Sequence, residues 1–102
     1  MYARLSEYPI QPGKLENFKR AVRSMFPALR QQAGFRALLV LRTAEGAAPE
    51  ALIISVWDSL DDLKASEKNM FLYQAVSRLL QFCKGFPRFH EHEVLLTEFA
   101  AD

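Results

Sequence analysis

The chain has 102 residues, which is the length of one domain. Half of the residues are hydrophobic and 25% are charged, a composition that excludes a disordered tail. Thirteen Lys and Arg against twelve Asp and Glu give a formal net charge of +1, which argues against a basic surface for nucleic acid. We therefore predict a single domain over residues 1–102 without a nucleic-acid partner.

Cysteine usage and hydropathy exclude further classes of protein. The single cysteine, Cys83, cannot form a disulfide within the chain, and no Cys/His cluster has the spacing of a structural zinc site. The longest apolar stretches, Ala37–Leu41 and Ala51–Trp57, are much shorter than the roughly twenty residues that cross a bilayer. The first residues carry charge where a signal peptide has an apolar run. We expect a cytoplasmic protein with no metal site and no membrane partner.

The first predicted elements are a strand and a helix. The strand lies near Tyr2–Pro9 and is stopped by Pro12 and Gly13. The helix covers Lys14–Ala33, because apolar residues recur there at helical spacing on one narrow stripe: Leu15, Phe18, Val22, Met25 and Leu29. Pro27 lies inside this segment, where it is expected to kink the helix or start a new turn.

Two strands and a loop follow the first helix. Gly34 occupies the position of a helix C-cap. Phe35–Arg42 and Ala51–Trp57 are rich in Leu, Ile, Val and Phe, which favours strands. Thr43–Glu50 consists mostly of small residues and contains Gly46 and Pro49, so we predict a hairpin loop that joins these two strands.

The second half predicts two helical segments and a final strand. Ser59 is a suitable N-cap, and Asp61 and Asp62 favour the positive end of a helix dipole. A longer helix is expected over about Lys68–Cys83, and Arg88 to about Phe99 is expected to form the last strand.

The predicted order is β-α-β-β-α-β, which is the ferredoxin-like α+β arrangement of a four-stranded antiparallel sheet with its helices on one face. The two central apolar strands carry large apolar side chains on both faces. The helices cover only one face, and soluble monomers avoid a large exposed apolar sheet. We therefore predict a homodimer joined through the sheet faces.

Three segments resemble the antibiotic biosynthesis monooxygenase (ABM) family of dimeric α+β barrels. Ile10–Lys14 followed by Phe18 is similar to the family's passage from the first strand into the helix. Leu29–Arg36 is similar to the passage from that helix into the second strand. Ser55–Ser59 is similar to the end of the third strand, where a Trp precedes a helix cap.

The resemblance implies a fold more strongly than an activity. The family includes monooxygenases that act on phenolic and quinol substrates without a cofactor, haem-degrading enzymes, and members without known chemistry. Many members have a His about nine residues after the Trp, where this chain has Ser66. The haem-degrading branch uses an Asn, Trp and His triad, and Ser6, Ser66 and Val76 occupy those positions here. This departure argues against haem degradation of that type.

Trp57 is the first candidate for a functional role. Its indole would stack on a planar aromatic substrate and donate from its N–H, with Ser55 as a second donor. Phe71 and Val76 lie on the wide apolar face of the predicted long helix, which would line a substrate cavity. The alternative for Trp57 is an aromatic core residue that closes the end of the third strand.

His90 and His92 are the candidate catalytic residues. At positions i and i+2 they share one face of the last strand, so both point towards the helices or both point away. A neutral imidazole there would accept a phenolic proton at physiological pH. A transition metal would need at least a third ligand, and the sequence nominates none. The alternative is two polar positions on a half-exposed strand.

Two functions remain open at this point. The first is cofactor-independent oxidation of a phenolic, quinol or similar aromatic small molecule, which needs an apolar cavity, a base and a donor for the developing oxyanion. The second is a non-catalytic dimeric binding or accessory protein of the same fold. A cavity that contains polar groups favours the first, and a filled core favours the second.

Overall fold

The computed structural model describes residues 1–44 and 50–100, and the strands and helices of this part follow the predicted order. They are β1 (Tyr2–Tyr8), α1 (Leu15–Leu29), β2 (Phe35–Arg42), β3 (Ala51–Trp57), α2 (Leu60–Lys68), α3 (Phe71–Leu79) with a 3-10 turn at Leu80–Phe82, and β4 (Arg88–Glu93). No helix among these residues is long and apolar enough to cross a membrane.

The four strands form one antiparallel sheet in the order β2-β3-β1-β4. This is the ferredoxin-like α+β fold, and the predicted fold class is confirmed. The predicted ranges of β2 and β3 agree with the structure at both ends. Residues 45–49 of the predicted hairpin loop lie outside the described residues, and Thr43 N–H donates to Glu50 O at 3.0 Å where the two strands enter it.

The stripe predicted on α1 forms the centre of the core. Phe18, Val22, Met25 and Leu29 are buried. Pro27 does not interrupt the helix, which continues to Leu29, and the N–H of Arg30 still donates to Phe26 O at 2.9 Å. Pro27 is close to the helix end, so its missing N–H removes only one hydrogen bond of the last turn.

Three predicted boundaries are wrong. The first helix ends at Leu29 with Arg30 as its C-cap, and not at Ala33, so Gly34 lies in the turn before β2 and is not the helix C-cap. The long helix does not start at Lys68, because Asn69 and Met70 separate α2 from α3, with Met70 in the left-handed region at φ 69°. The side chain of Asn69 accepts from Phe71 N–H at 3.0 Å, a local bond that competes with helix continuation. The last strand ends at Glu93 rather than near Phe99.

The sheet has two chemically different faces. Residues that pair directly across an antiparallel sheet point to the same side. The helix face carries the buried side chains of β1, which are Arg4, Ser6 and Tyr8, together with Ser55 and Trp57 of β3. The outer face carries half-exposed apolar side chains: Leu5, Leu39, Leu41, Leu52 and Ile54.

Candidate functional site

The candidate site is a pocket between the helix face of the sheet and the helices α1 and α3. Its walls are apolar, with Val22 and Met25 from α1 and Phe71 and Leu79 from α3. Its volume is about 70 Å³, well below the roughly 300 Å³ at which typical small-molecule sites begin.

Arg4 places a cation at one end of the pocket. Its side chain is 4% exposed and ties β1 to α2. Nη1 donates to Ser66 Oγ at 3.1 Å, and Nη2 donates to Leu63 O at 3.1 Å and to Glu67 Oε1 at 3.0 Å. A buried charge needs such partners, because its desolvation is otherwise unfavourable.

Trp57 and Ser55 form a linked pair beside Arg4. Trp57 is 1% exposed, and its indole N–H donates to Ser55 Oγ at 3.0 Å. Phe35 contacts the indole edge-to-face, with 5.5 Å between ring centroids. Ser55 is the direct cross-strand neighbour of Arg4. The indole donor is therefore used within the protein, while the ring of Trp57 remains in the pocket lining.

Ser6 and Tyr8 follow Arg4 on the same face of β1 and form the polar floor of the pocket with it. Tyr8 is 2% exposed, and its ring packs on Phe18 with 5.0 Å between centroids. Burial is the main cause that raises the Tyr8 pKa well above its ordinary value, Cys83 raises it further, and Arg4 opposes the change. Tyr8 therefore stays protonated at neutral pH, so its hydroxyl is able to donate to a ligand and does not serve as a base.

The two predicted wall residues of the second helix lie in different places. Phe71 is the first residue of α3 and lines the pocket with Trp57 and Ser55. Val76 faces away and lines a groove of about 470 Å³ between α3 and the segment that contains Phe86 and Phe89. The structure therefore brings Trp57, Ser55 and Phe71 together and does not bring Val76 to them.

The two histidines lie on the outer face of the sheet. His90 pairs with Leu5 and His92 with Ala3, both on the side opposite the helices. The side chain of His90 is 45% exposed and its Nε2 is 3.7 Å from Glu7 Oε1. The imidazole rings stack with 6.5 Å between centroids. The sheet therefore separates both histidines from the pocket, and their catalytic role stays a prediction that requires a substrate on the outer face.

Arg4 and Tyr8 were not predicted from the sequence to belong to this site. Together with Ser6 they alternate along β1, which is the only signal that could have grouped them. No cluster of three or more His, Cys, Asp or Glu residues that could hold a metal occurs within residues 1–44 and 50–100.

The family model for antibiotic biosynthesis monooxygenase (ABM) matches residues 1–91. The chain belongs to the ABM family. A sequence comparison with curated proteins finds no match.

Solved structures share the ABM fold at low sequence identity. MhuD, a heme-degrader from Mycobacterium tuberculosis with two hemes in its active site, is 17% identical with a TM-score of 0.79, over 97% of this chain and all of the other. A mutant of SnoaB, a cofactor-independent oxygenase from Streptomyces nogalater, is 12% identical with a TM-score of 0.76, over 94% of each chain. A protein of unknown function from Nitrosomonas europaea is 14% identical with a TM-score of 0.75, over 99% of this chain and 95% of the other. At these identities the likeness establishes the fold alone.

Proposed function

We propose that this ABM protein is a small oxygenase that oxidises a phenolic, quinol or similar aromatic molecule in the helix-face pocket. The observation that carries the proposal is the pocket itself, because apolar and aromatic walls stand over a floor of hydrogen-bond donors. SnoaB, which has this fold, is an oxygenase that works without a cofactor.

The proposed chemistry draws its electrons from the substrate. A phenolate ring donates electrons to O2, one oxygen atom is inserted into the ring, and the other leaves as water. A phenol and one O2 thus give one quinone and one water, and the ring loses four electrons. Trp57 and Phe71 would hold the ring, and the hydroxyl of Ser55 would stabilise the oxyanion.

Turnover needs the pocket to widen, because about 70 Å³ is far below the roughly 300 Å³ at which typical small-molecule sites begin. The wall formed by α3 begins directly after the left-handed residue Met70. A residue held in this region of backbone space is strained, and such strain often lies beside segments that rearrange. We propose that α3 moves away from the sheet when the substrate binds.

Oxygen uptake with 1-naphthol tests the proposal, because 1,4-naphthoquinone forms from it only when one oxygen atom is inserted into the ring. We expect one O2 consumed for each quinone formed. Replacing Ser55 with Ala should slow turnover by roughly 10-fold or more, because an oxyanion donor is lost. His90→Gln and His92→Gln are the matched outer-face variants, and we expect both to retain the rate. A roughly 10²–10⁴-fold loss in either of them would instead support the histidines as catalytic bases.

A non-catalytic binding or accessory function is the second candidate. The small pocket volume favours it, since a nearly filled pocket is typical of a packed core. Saturable binding of 1-naphthol without oxygen uptake would select this function over the oxygenase.

We also propose that a second copy of the chain covers the outer face. Leu39 is 46% exposed and Leu41 is 38% exposed, and both sit beside the half-exposed residues Leu52 and Ile54. Covering these side chains removes apolar surface from water, which favours association by roughly 25 cal/mol for each Å². In such a homodimer His90 and His92 would lie at or near the interface.

A further inference from the structure

The pocket floor is a ladder of three buried polar side chains. Arg4, Ser6 and Tyr8 follow one another on the helix face of β1, at 4%, 4% and 2% exposure. Side chains on one face of a strand are roughly 7 Å apart, so the ladder is long enough to contact two substituents of one ring.

Several donors of this ladder have no acceptor. Arg4 has five N–H groups, and its three bonds leave Nε–H and one hydrogen of Nη1 uncommitted. Ser6 Oγ and Tyr8 Oη make no hydrogen bond with other described residues. Every fully shielded side-chain nitrogen or oxygen in the described part of the chain has a partner, so the unbonded Ser6 Oγ and Tyr8 Oη are not fully shielded, and both residues line the pocket.

The described residues that line the pocket include no base. None of them is Asp, Glu or His. Two carboxylates lie beside Arg4: Glu67 of α2, which is bonded to it, and Glu91 of β4, its direct cross-strand neighbour, which pairs with Lys64 at 2.9 Å. These carboxylates are 33% and 31% exposed whereas Arg4 is 4% exposed, so water screens them more than it screens the guanidinium.

We propose that the pocket selects acidic phenols and binds them as phenolates, with the phenolate oxygen on Arg4 and with Ser6 and Tyr8 as neutral donors to the ring's other oxygen substituents. This inference rests on the proposed function and narrows its substrate class. A cation and two neutral donors favour a bound anion, while a neutral phenol would find no group in the pocket to take its proton.

The test is a pH titration of 4-nitrophenol, whose ionised and neutral forms differ in visible absorbance, with excess protein and without O2. We expect saturable binding and a bound probe that ionises about one pH unit or more below the free probe, because an opposite charge lies beside it. Arg4→Gln should remove this shift, and Arg4→Lys should keep part of it. Arg20→Gln, on the exposed side of α1, is the charge-matched control and should change nothing.

A second probe isolates the charge. 4-Nitroanisole has a similar ring but cannot ionise, so Arg4→Gln should leave its affinity unchanged. Tyr8→Phe keeps the ring packing, and we expect it to weaken binding of the phenolate roughly 10-fold while it retains the pH shift. This variant keeps the proposal testable if Arg4→Gln does not fold.

Three results would overturn the proposal: no saturable binding of either probe, a bound 4-nitrophenol that ionises at or above its free value, or equal affinity of Arg4→Gln for the phenolate. Because the titration excludes O2, it is independent of turnover. Oxygen uptake without a shift in the pKa of bound 4-nitrophenol would support the proposed function and refute the selection of anions. A shift in that pKa without oxygen uptake would support the selection of anions and contradict the oxygenase function.

Discussion

Two glycines with the same backbone conformation allow a quantitative test of how closely α2 packs against the start of β2. Gly13 and Gly34 both have φ of +76°, a left-handed conformation that suits glycine. A Cβ added at Gly13 would meet nothing within 4 Å, whereas one added at Gly34 would overlap the side chain of Asp62 in the first turn of α2. The overlap includes the Cβ of Asp62 at 2.7 Å, which side-chain rotation cannot remove.

The two alanine variants therefore separate backbone strain from steric overlap. Each should lose roughly 1–2 kcal/mol of unfolding free energy from the left-handed backbone. Gly34→Ala should lose roughly 1–3 kcal/mol more, because the overlap forces α2 away from the start of β2. Urea unfolding of wild type and both variants at one protomer concentration measures this difference.

Equal destabilisation of both variants, within about 0.5 kcal/mol, would refute the close approach of Gly34 and Asp62. A change of m-value in only one variant would indicate that it has altered the unfolded state or the cooperativity, so the comparison requires equal slopes. Asp62 also accepts a bond from Ser59 Oγ at 2.9 Å, so displacement of Asp62 should additionally weaken the N-cap of α2.

Two further predictions concern ligands and assembly. Haem should not be degraded, because Ser6, Ser66 and Val76 replace the Asn, Trp and His of the haem-degrading branch, and Val76 does not line the pocket. Loss of the Soret band of added haem with a reductant and O2 would contradict this. Sedimentation at micromolar concentration should give a homodimer, whose interface we expect to exceed roughly 1,000 Å². Leu39→Glu should shift the equilibrium towards monomer. A folded wild-type monomer would contradict the dimer proposal.

The elements were predictable because their signals are local. The stripe on α1 and the apolar runs of β2 and β3 each determine one element without reference to the rest of the chain. Two helical segments were predicted after β3, but the position of the break between α2 and α3 was not predictable, because apolar periodicity is similar on both sides of it. The turn is distinguished by the left-handed backbone of Met70 and by the bond that the Asn69 side chain accepts from Phe71 N–H.

The site was harder to predict than the fold. On β1, hydropathy alone places Ala3 and Leu5 towards a core and Arg4 towards solvent, which is the reverse of the observed arrangement. The reversal depends on α2, where the acceptors of the Arg4 guanidinium lie, and on a sheet whose outer face is also apolar.

The central claim is that the ligand binds on the helix face and not on the outer face of the sheet. The chain has one Trp and two His, so NMR reports on each face separately: the Trp57 indole N–H in the pocket, and the imidazole C–H groups of His90 and His92 outside it. Titration with 4-nitrophenol should shift the indole signal saturably and leave the imidazole signals in place. Saturable shifts of the imidazole signals with an unchanged indole signal would contradict the account.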